Sequence, residues 1–294
     1  MNRFLGGGGF SQVYLARRND DDRLVVIKEY LPMRLATRGE DLVVAARSAD
    51  LAPRFQRGRT LFFQEAGILS GLQHPNIIRV LGFFRANGTV YMVMEYLPGA
   101  NLERYIRRHQ QLSERLLLTV FRGLLEALDY IHAEGFLHLD IKPGNIHLCQ
   151  GGRPILLDFG AVHRRERYRH LVHEQVITPG FAPIEQYSKK GYIGPWTDNY
   201  AIGASMWACM GGKPPPDARK RQEEDLLPAA SVQFRRRYSP ELLEAVEWAM
   251  DMDPLVRPQT AAELLEVLPD PGERAPLPES WLSRFVAAMP WRRS

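Results

Sequence analysis

The sequence predicts an α+β fold in two lobes, a β-rich one followed by a larger, mainly helical one. Three observations carry this expectation. At 294 residues the chain is long for one compact core, and chains of that size tend to divide. The first third holds short runs of β-branched and aromatic residues bounded by glycine and proline, as in Leu24–Lys28 and Thr89–Glu95, which is the pattern of strands. Beyond the turn at Pro98-Gly99, apolar residues recur at helical spacing, most plainly at Leu117, Val120, Phe121, Leu124, Leu125, Leu128 and Ile131. The lobes are therefore expected at residues 1–97 and 98–268, with 269–294 standing apart.

Composition narrows the class. Hydrophobic content of 45% and charged content of 24% are those of a soluble globular protein. A net charge of +4, from 38 basic and 34 acidic residues, is too mild to imply nucleic acid, and the arginines are dispersed. Cys149 and Cys209 are too few for a disulfide framework or a zinc site, so a reducing cytoplasm is the expected location. No signal peptide opens the chain, and the longest apolar runs, such as Ala201–Met210, are too short to span a bilayer.

In order along the chain, only five residues precede Gly6, so a first strand there reads as clipped. Gly6-Gly7-Gly8-Gly9-Phe10-Ser11-Gln12-Val13-Tyr14 is a glycine run leading into a β-rich stretch. Backbone without Cβ lets phosphates approach its N–H groups, but such runs also serve as flexible linkers. Leu24–Lys28 reads as a buried strand ending in a lysine, either an edge residue snorkelling to water or a functional cation. The 36 positions from 29 to 64 contain Leu31-Pro32, Arg38-Gly39 and Ala52-Pro53, and are expected to form an irregular or hairpin excursion. Phe62–Leu69 is an amphipathic helical stretch that carries Glu65. Thr89–Gly99 is a strand running into a Pro-Gly turn, and Leu116–His132 a buried helix.

The chemistry concentrates between Phe136 and Gly160, FLHLDIKPGNIHLCQGGRPILLDFG. Apolar pairs flank a loop holding Asp140, Lys142 and Asn145, and Gly151-Gly152 reads as a tight turn before Ile155-Leu156-Leu157 and Asp158. Two carboxylates with an amide between them suit Mg²⁺, a hard cation that shares oxygen ligands with phosphates. Phosphoryl transfer needs such a set: one Asp for a hydroxyl, another for the metal, and a cation near the moving phosphate.

His138-Leu139-Asp140-Ile141-Lys142-Pro143-Gly144-Asn145 followed by Asp158-Phe159-Gly160 resembles the catalytic and metal loops of eukaryotic-type protein kinases. The wording Lys28-Glu29-Tyr30-Leu31-Pro32, then Phe62-Phe63-Gln64-Glu65-Ala66, resembles a bacterial serine/threonine subgroup. The resemblance implies a bilobal protein kinase-like fold with ATP and Mg²⁺ between the lobes, and it implies roles. Asp140 would orient the substrate hydroxyl and accept its proton, and Lys142 would neutralise charge on the moving phosphate. Asn145 and Asp158 would hold Mg²⁺. Lys28 would hold the α- and β-phosphates and pair with Glu65. Gly6, Gly8 and Val13 match the glycine-rich loop over the phosphates, with Ser11 in place of its third glycine. Met94 would be the gatekeeper, with backbone at Glu95 and Leu97 facing adenine. His138 and Phe159 would stack in the core.

Departures carry information too. Val26 stands where these kinases usually place alanine over adenine, and His147 where an apolar residue forms the adenine floor, which implies altered nucleotide affinity rather than lost binding. Leu139 replaces the arginine that in many kinases pairs with an activation-segment phosphate. From Ala161 to Ile177 the sequence AVHRRERYRHLVHEQVI contains neither Ser nor Thr. Receiver and donor are missing together, so activity is expected without Ser/Thr phosphorylation there, Tyr168 being the one hydroxyl in the segment. Arg164, Arg165, Arg167 and Arg169 read as a solvated basic loop or as a site for an acidic partner.

Thr178–Glu185 resembles the segment that seats the acceptor residue, Thr178 contacting Asp140 and Lys142 as in serine/threonine kinases. Glu185 would pair with Arg257, of Asp253–Pro258, as a buried latch, and Asp198 would brace the catalytic loop. The tail opens with a Pro-rich linker at 269–278. Trp281, Leu282, Phe285, Val286, Met289 and Trp291 then read as an amphipathic helix docking on the second lobe, a partner or a membrane surface. The expected function is transfer of the ATP γ-phosphate to a protein Ser or Thr. One rival is a pseudokinase scaffold, favoured by Ser11, Val26, Leu139 and His147. Another is a small-molecule phosphotransferase, disfavoured by Thr178–Glu185 and Asp253–Pro258, which build a platform for peptide.

Overall fold

Alternating apolar runs in the first third become the strands of one sheet in the computed structural model, which describes residues 3–159, 163–164, 177–188 and 191–272. These are β1 (Arg3–Gly7), β2 (Ser11–Arg17), β3 (Leu24–Tyr30), β6 (Val80–Ala86) and β7 (Thr89–Glu95), antiparallel in the spatial order β1-β2-β3-β7-β6. Side chains alternate across a strand, so the register sorts the two faces. Val13 lies opposite Lys28 and Lys28 opposite Met92, while Val26 lies opposite both Leu15 and Met94. One face therefore carries Val13, Val26, Lys28 and Met94. Glu29 lies opposite Tyr91 on the other.

The excursion after Lys28 has two parts. β4 (Ala36–Arg38) and β5 (Val44–Ala46) pair as a hairpin, as expected. The remainder is helix: α1 runs Ala52–Gly71, 20 residues, and reaches more than two turns further back than the Phe62–Leu69 stretch suggested. Ala52-Pro53 had the look of loop punctuation. In fact Pro53 sits in the first helical turn, where its missing N–H has no helical acceptor to lose.

The chain divides into two compact units, Met1–Gln73 with Ile77–Leu97, and His74–Asn76 with the chain from Pro98 onward. In the second unit β8 (Gly99–Asn101), β10 (Ile146–Cys149) and β11 (Pro154–Leu156) form a small sheet in the order β11-β10-β8. The turn between β10 and β11 places Gly151 and Gly152 at φ +77°, a conformation glycine adopts without strain. Asn101 caps α2 (Leu102–His109) by accepting from Glu103 and Arg104 N–H, and Ser113 caps α3 (Glu114–Ala133) through Leu116 N–H. β9 (Phe136–Leu137) follows and pairs with β12 (His163–Arg164). α4 (Pro195–Gly211) is buried at every residue from Trp196 to Met210, as a helix apolar on all sides should be. α5 (Ala218–Glu223), α6 (Ala230–Gln233), α7 (Pro240–Ala249) and α8 (Ala261–Val267) complete the unit. Among the described residues no helix is long and apolar enough to cross a membrane. Tyr168, the side chains of Arg164, Arg165, Arg167 and Arg169, and the tail from Glu273 lie outside the residues described.

Candidate active site

In the second unit, β9 leads into the loop 138–145 and β10 leads out, so Asp140, Lys142 and Asn145 stand on a short segment anchored at both ends. Lys142 Nζ lies 2.9 and 2.7 Å from the two Asp140 carboxylate oxygens and donates to Thr178 Oγ1 at 2.9 Å. The Thr178 hydroxyl donates to Asp140 Oδ1 at 2.7 Å. Asn145 Nδ2 donates to the Asp140 main-chain oxygen at 2.8 Å and to Oδ2 at 2.9 Å. An ionised carboxylate offers about four acceptor positions, and these contacts fix its plane.

Asp198, on α4, holds the loop backbone. Its Oδ2 accepts from His138 N–H at 2.9 Å and lies 2.8 Å from His132 Nε2, and its Oδ1 accepts from Leu139 N–H at 2.7 Å. Gln186 Nε2 donates to the Leu139 carbonyl at 3.0 Å. These bonds secure an unfavourable backbone: Leu139 sits at φ +62°, where a non-glycine residue is disfavoured by about 1–2 kcal/mol. The Leu139 side chain is buried with Leu137, and Ile193 packs against them. Burial pushes the Asp198 carboxyl up, but the hydrogen bond and charge of His132, with the main-chain N–H of His138, outweigh it and hold the carboxyl below its usual range.

His138 is fully buried, its ring 4.9 Å from that of Phe159. Burial lowers its pKa against the opposing pull of Asp198 and Asp140, so the imidazole is neutral. Its hydrogen bonds fit one tautomer. Nδ1 accepts from Asp140 N–H at 3.3 Å, which leaves Nε2–H to donate to the Leu157 carbonyl at 3.3 Å.

Asp158 lies two residues beyond the end of β11. The Leu157 N–H donates to the Asn145 carbonyl at 2.8 Å, which sets the two segments side by side, and Asp158 takes a left-handed backbone at φ +55°. Because the Asn145 amide nitrogen is committed to Asp140, the group it can offer a cation is its side-chain carbonyl oxygen. An oxygen from Asn145 and a carboxylate from Asp158 fit Mg²⁺, which takes one or two protein carboxylates and fills its octahedron with phosphate and water. Among the described residues no cluster of three His, Cys, Asp or Glu side chains could hold a metal by itself.

In the first unit, Lys28 Nζ lies 3.6 Å from Glu65 Oε1, with the two side chains only 11% and 10% exposed. Gly8 N–H closes the turn from β1 to β2 by donating to the Ser11 carbonyl at 3.0 Å. A Cβ at Gly6, Gly8 or Gly9 would meet nothing within 4 Å. Gly6, at φ +156°, holds a backbone that favours glycine, but among the described residues no contact demands glycine at Gly8 or Gly9, which suits backbone approached by another molecule. Met94 is half-buried opposite Val26. Glu95 N–H donates to the Arg79 carbonyl at 3.1 Å, and Leu97 is the last residue of the unit. His147 belongs to the second unit, on β10, its ring so close to Gly99 that a Cβ there would lie 2.5 Å from Nε2.

Glu185 and Arg257 form a buried two-pronged pair, Nη1 to Oε1 at 2.7 Å and Nη2 to Oε2 at 3.2 Å. Thr197 Oγ1 donates to Glu185 Oε1 at 3.0 Å, and the Arg257 guanidinium lies 4.8 Å from the Tyr200 ring centre. His132, Gln186, Thr197 and Tyr200 escaped the sequence reading. The one available signal was their nearness in sequence to Asp140, Glu185 and Asp198.

The protein kinase domain family matches residues 1–267. PknA, a serine/threonine-protein kinase of Nostoc sp., is 30% identical over 279 residues, 90% of this chain but 45% of PknA. Aurora kinase C of Mus musculus is 30% identical over 224 residues, 76% of this chain and 73% of its own. Among solved structures, the apo form of PpkA-294 superposes with a TM-score of 0.81 at 37% identity, covering 92% of this chain and 97% of that one. Rad53 1-466 in complex with AMP-PNP shares the fold at a TM-score of 0.68 and 22% identity, covering 90% of this chain and 63% of its own. The chain thus spans less than half the length of PknA.

Proposed function

Since the chain belongs to the protein kinase domain family, we propose that it transfers the γ-phosphoryl group of ATP to a serine or threonine of a protein, without phosphorylation of its own activation segment. One observation carries the first part. The Asp140 carboxylate already accepts a hydrogen bond from an alcohol, the Thr178 hydroxyl at 2.7 Å, with the Lys142 ammonium against both. This is the chemistry a substrate hydroxyl needs.

Bound as its Mg²⁺ complex, ATP supplies the electrophilic phosphorus and a cation that spreads the developing charge. Asp140 orients the acceptor hydroxyl and takes its proton as the oxygen bonds to the γ-phosphorus and the bond to the β–γ bridging oxygen breaks. Lys142, bonded to Asp140, offers positive charge to the phosphoryl oxygens. The Asn145 side-chain carbonyl and the Asp158 carboxylate would hold the cation. Lys28, oriented by Glu65, meets the α- and β-phosphates, and the backbone of Gly6–Gly9 covers them. The kinase resemblance assigns Val13, Val26, Met94 and His147 to the faces of the base, and the backbone at Glu95 and Leu97 to its edge.

The second part rests on Leu139. Where an activation phosphate would need a cation, the chain places an apolar side chain 4% exposed, and residues 161–177 contain no Ser or Thr. A cytoplasmic location is proposed with it, supported by two buried cysteines that are not joined in a disulfide. The test is transfer from labelled ATP–Mg²⁺ to a generic basic protein and to the chain itself, beside Asp140→Asn, with the sites mapped by mass spectrometry. Transfer to Ser/Thr that disappears in the variant supports the reading; nucleotide binding without transfer replaces it with a pseudokinase scaffold.

A further inference from the structure

β3 presents Lys28 and Tyr30 on the same face, two residues apart, toward α1. The helix answers with one stripe at spacings of three and four: Phe55, Gly58, Phe62 and Glu65, continued by the buried Ala66 and Leu69. Tyr30 stacks on Phe55, with ring centres 5.7 Å apart and planes at 17°, and meets Phe62 at 5.7 Å. The Phe62 ring lies in turn 5.5 Å from Lys28 Nζ. Phe55, Tyr30, Phe62, Lys28 and Glu65 thus form one continuous series of contacts.

Gly58 completes it. A Cβ at this position would lie 2.0 Å from the Tyr30 hydroxyl and 2.8 Å from its Cζ. Glycine is among the poorest residues in a helix interior, and the backbone here is ordinary helix. The residue is explained by the ring lying against it.

The hairpin and the helix are fastened to the same sheet. Arg38, on β4, donates to Glu29, whose buried carboxylate also accepts from the Tyr91 hydroxyl at 2.7 Å and the Tyr14 hydroxyl at 3.2 Å. Val44 N–H, on β5, donates to the Asn87 carbonyl at 2.8 Å, and Arg59, on α1, donates to the Gly88 carbonyl at 2.9 Å. Both halves of the excursion are therefore tied to the turn between β6 and β7, and Arg38 ties it to β3 between Lys28 and Tyr30.

We propose that the segment between Lys28 and Glu65 is a built-in brace: it fixes α1 against β3 so that the Lys28–Glu65 pair is set by the first unit itself, with Tyr30, Phe55 and Gly58 as its positioning residues. This rests on the kinase reading, in which that pair orients the phosphates. Moving α1 far enough to part Glu65 from Lys28 requires unstacking Tyr30 from Phe55, so the pair needs no activating event to form.

Gly58→Ala drives a methyl group into Tyr30 without touching Lys28 or Glu65. The expected result is a kcat lowered on the order of 10–100-fold, as misplacement of a catalytic group by about 1 Å produces, with KM for the protein substrate unchanged. Hydrogen exchange should quicken at the amides of Phe62–Leu69 while α3 and α4 stay protected. Tyr30→Phe added to Gly58→Ala should restore part of the rate by removing the closest clash. Phe55→Leu, which keeps apolar bulk but ends the stack, should lower kcat in the same sense by a smaller factor. Unchanged kcat and unchanged exchange in Gly58→Ala would overturn the brace, as would equal loss of protection in α1, α3 and α4, the signature of general destabilisation. Absence of transfer by the unsubstituted protein would remove the kinase reading, while the exchange measurement would still decide the brace.

Discussion

Around Asp140 the contacts that fix position are hydrogen bonds. Lys142, Thr178 and Asn145 hold its side chain, and Asp198 and Gln186 hold the loop backbone beneath it. Around Glu65 they are rings packed against a glycine, with the ion pair itself at 3.6 Å. The contrast matches the two tasks. A group that accepts a proton must be aimed within narrow angles, and directional bonds do that. A helix that carries one carboxylate toward a lysine needs its position set, which close packing does at low polar cost. Substitutions that remove a hydrogen bond should therefore damage the first region, and substitutions that change volume the second.

The largest effect expected is on chemistry. Asp140→Asn keeps shape and loses the base, so kcat should fall about 10²–10⁴-fold with a thermal midpoint close to that of the parent; scanning calorimetry beside the kinase assay checks both. Next comes stability of the second unit. Arg257→Ala leaves Glu185 buried without its partner, and urea titration should show a loss of about 3–5 kcal/mol, with nucleotide affinity per folded molecule retained. Thr178→Val removes a bond to a charged group, worth about 1.5–3 kcal/mol, and steady-state kinetics should place that loss in kcat.

The smallest effect is in pH dependence. The folded pKa of His138 is depressed by burial below 6.5, so the unfolded chain takes up that proton first and stability falls as pH drops below about 6.5. Its slope should be at most about 1.4 kcal/mol per pH unit and missing from His138→Gln. Asp198, also depressed, contributes stability that is present above 3.8 and lost as pH falls through its folded value. Urea midpoints from pH 7 down to about pH 2 would separate the two, the His138 loss beginning below 6.5 and the Asp198 loss only below 3.8.

The elements that announce themselves locally were legible in the sequence. Strands at Leu24–Lys28 and Thr89–Glu95, the glycine turn at 151–152 and the helix around Leu116–His132 rest on short-range pattern, and all are present. Side chains near one another in a known motif were legible too: Asp140, Lys142, Asn145 and Thr178 meet, as do Lys28 with Glu65 and Glu185 with Arg257. The early start of α1 was not, because a proline in the first turn of a helix reads like one in a loop. His132 and Gln186 were not, because His132 acts through the Asp198 carboxylate and Gln186 reaches the Leu139 carbonyl from 47 residues away, and neither has a periodic or spaced signature. The left-handed backbone at Leu139 was hidden for another reason: leucine there breaks the local rule that favours glycine, and only tertiary hydrogen bonds reveal why it is tolerated.

The most direct test of the account is the initial rate of the fully dephosphorylated protein. After phosphatase treatment, and with intact mass confirming no phosphate, transfer from ATP–Mg²⁺ to a basic protein substrate would be followed from the first seconds. The account predicts a linear start at the full steady-state rate, before any phosphate appears between residues 161 and 188. A lag that ends as phosphate accumulates in that segment would contradict it.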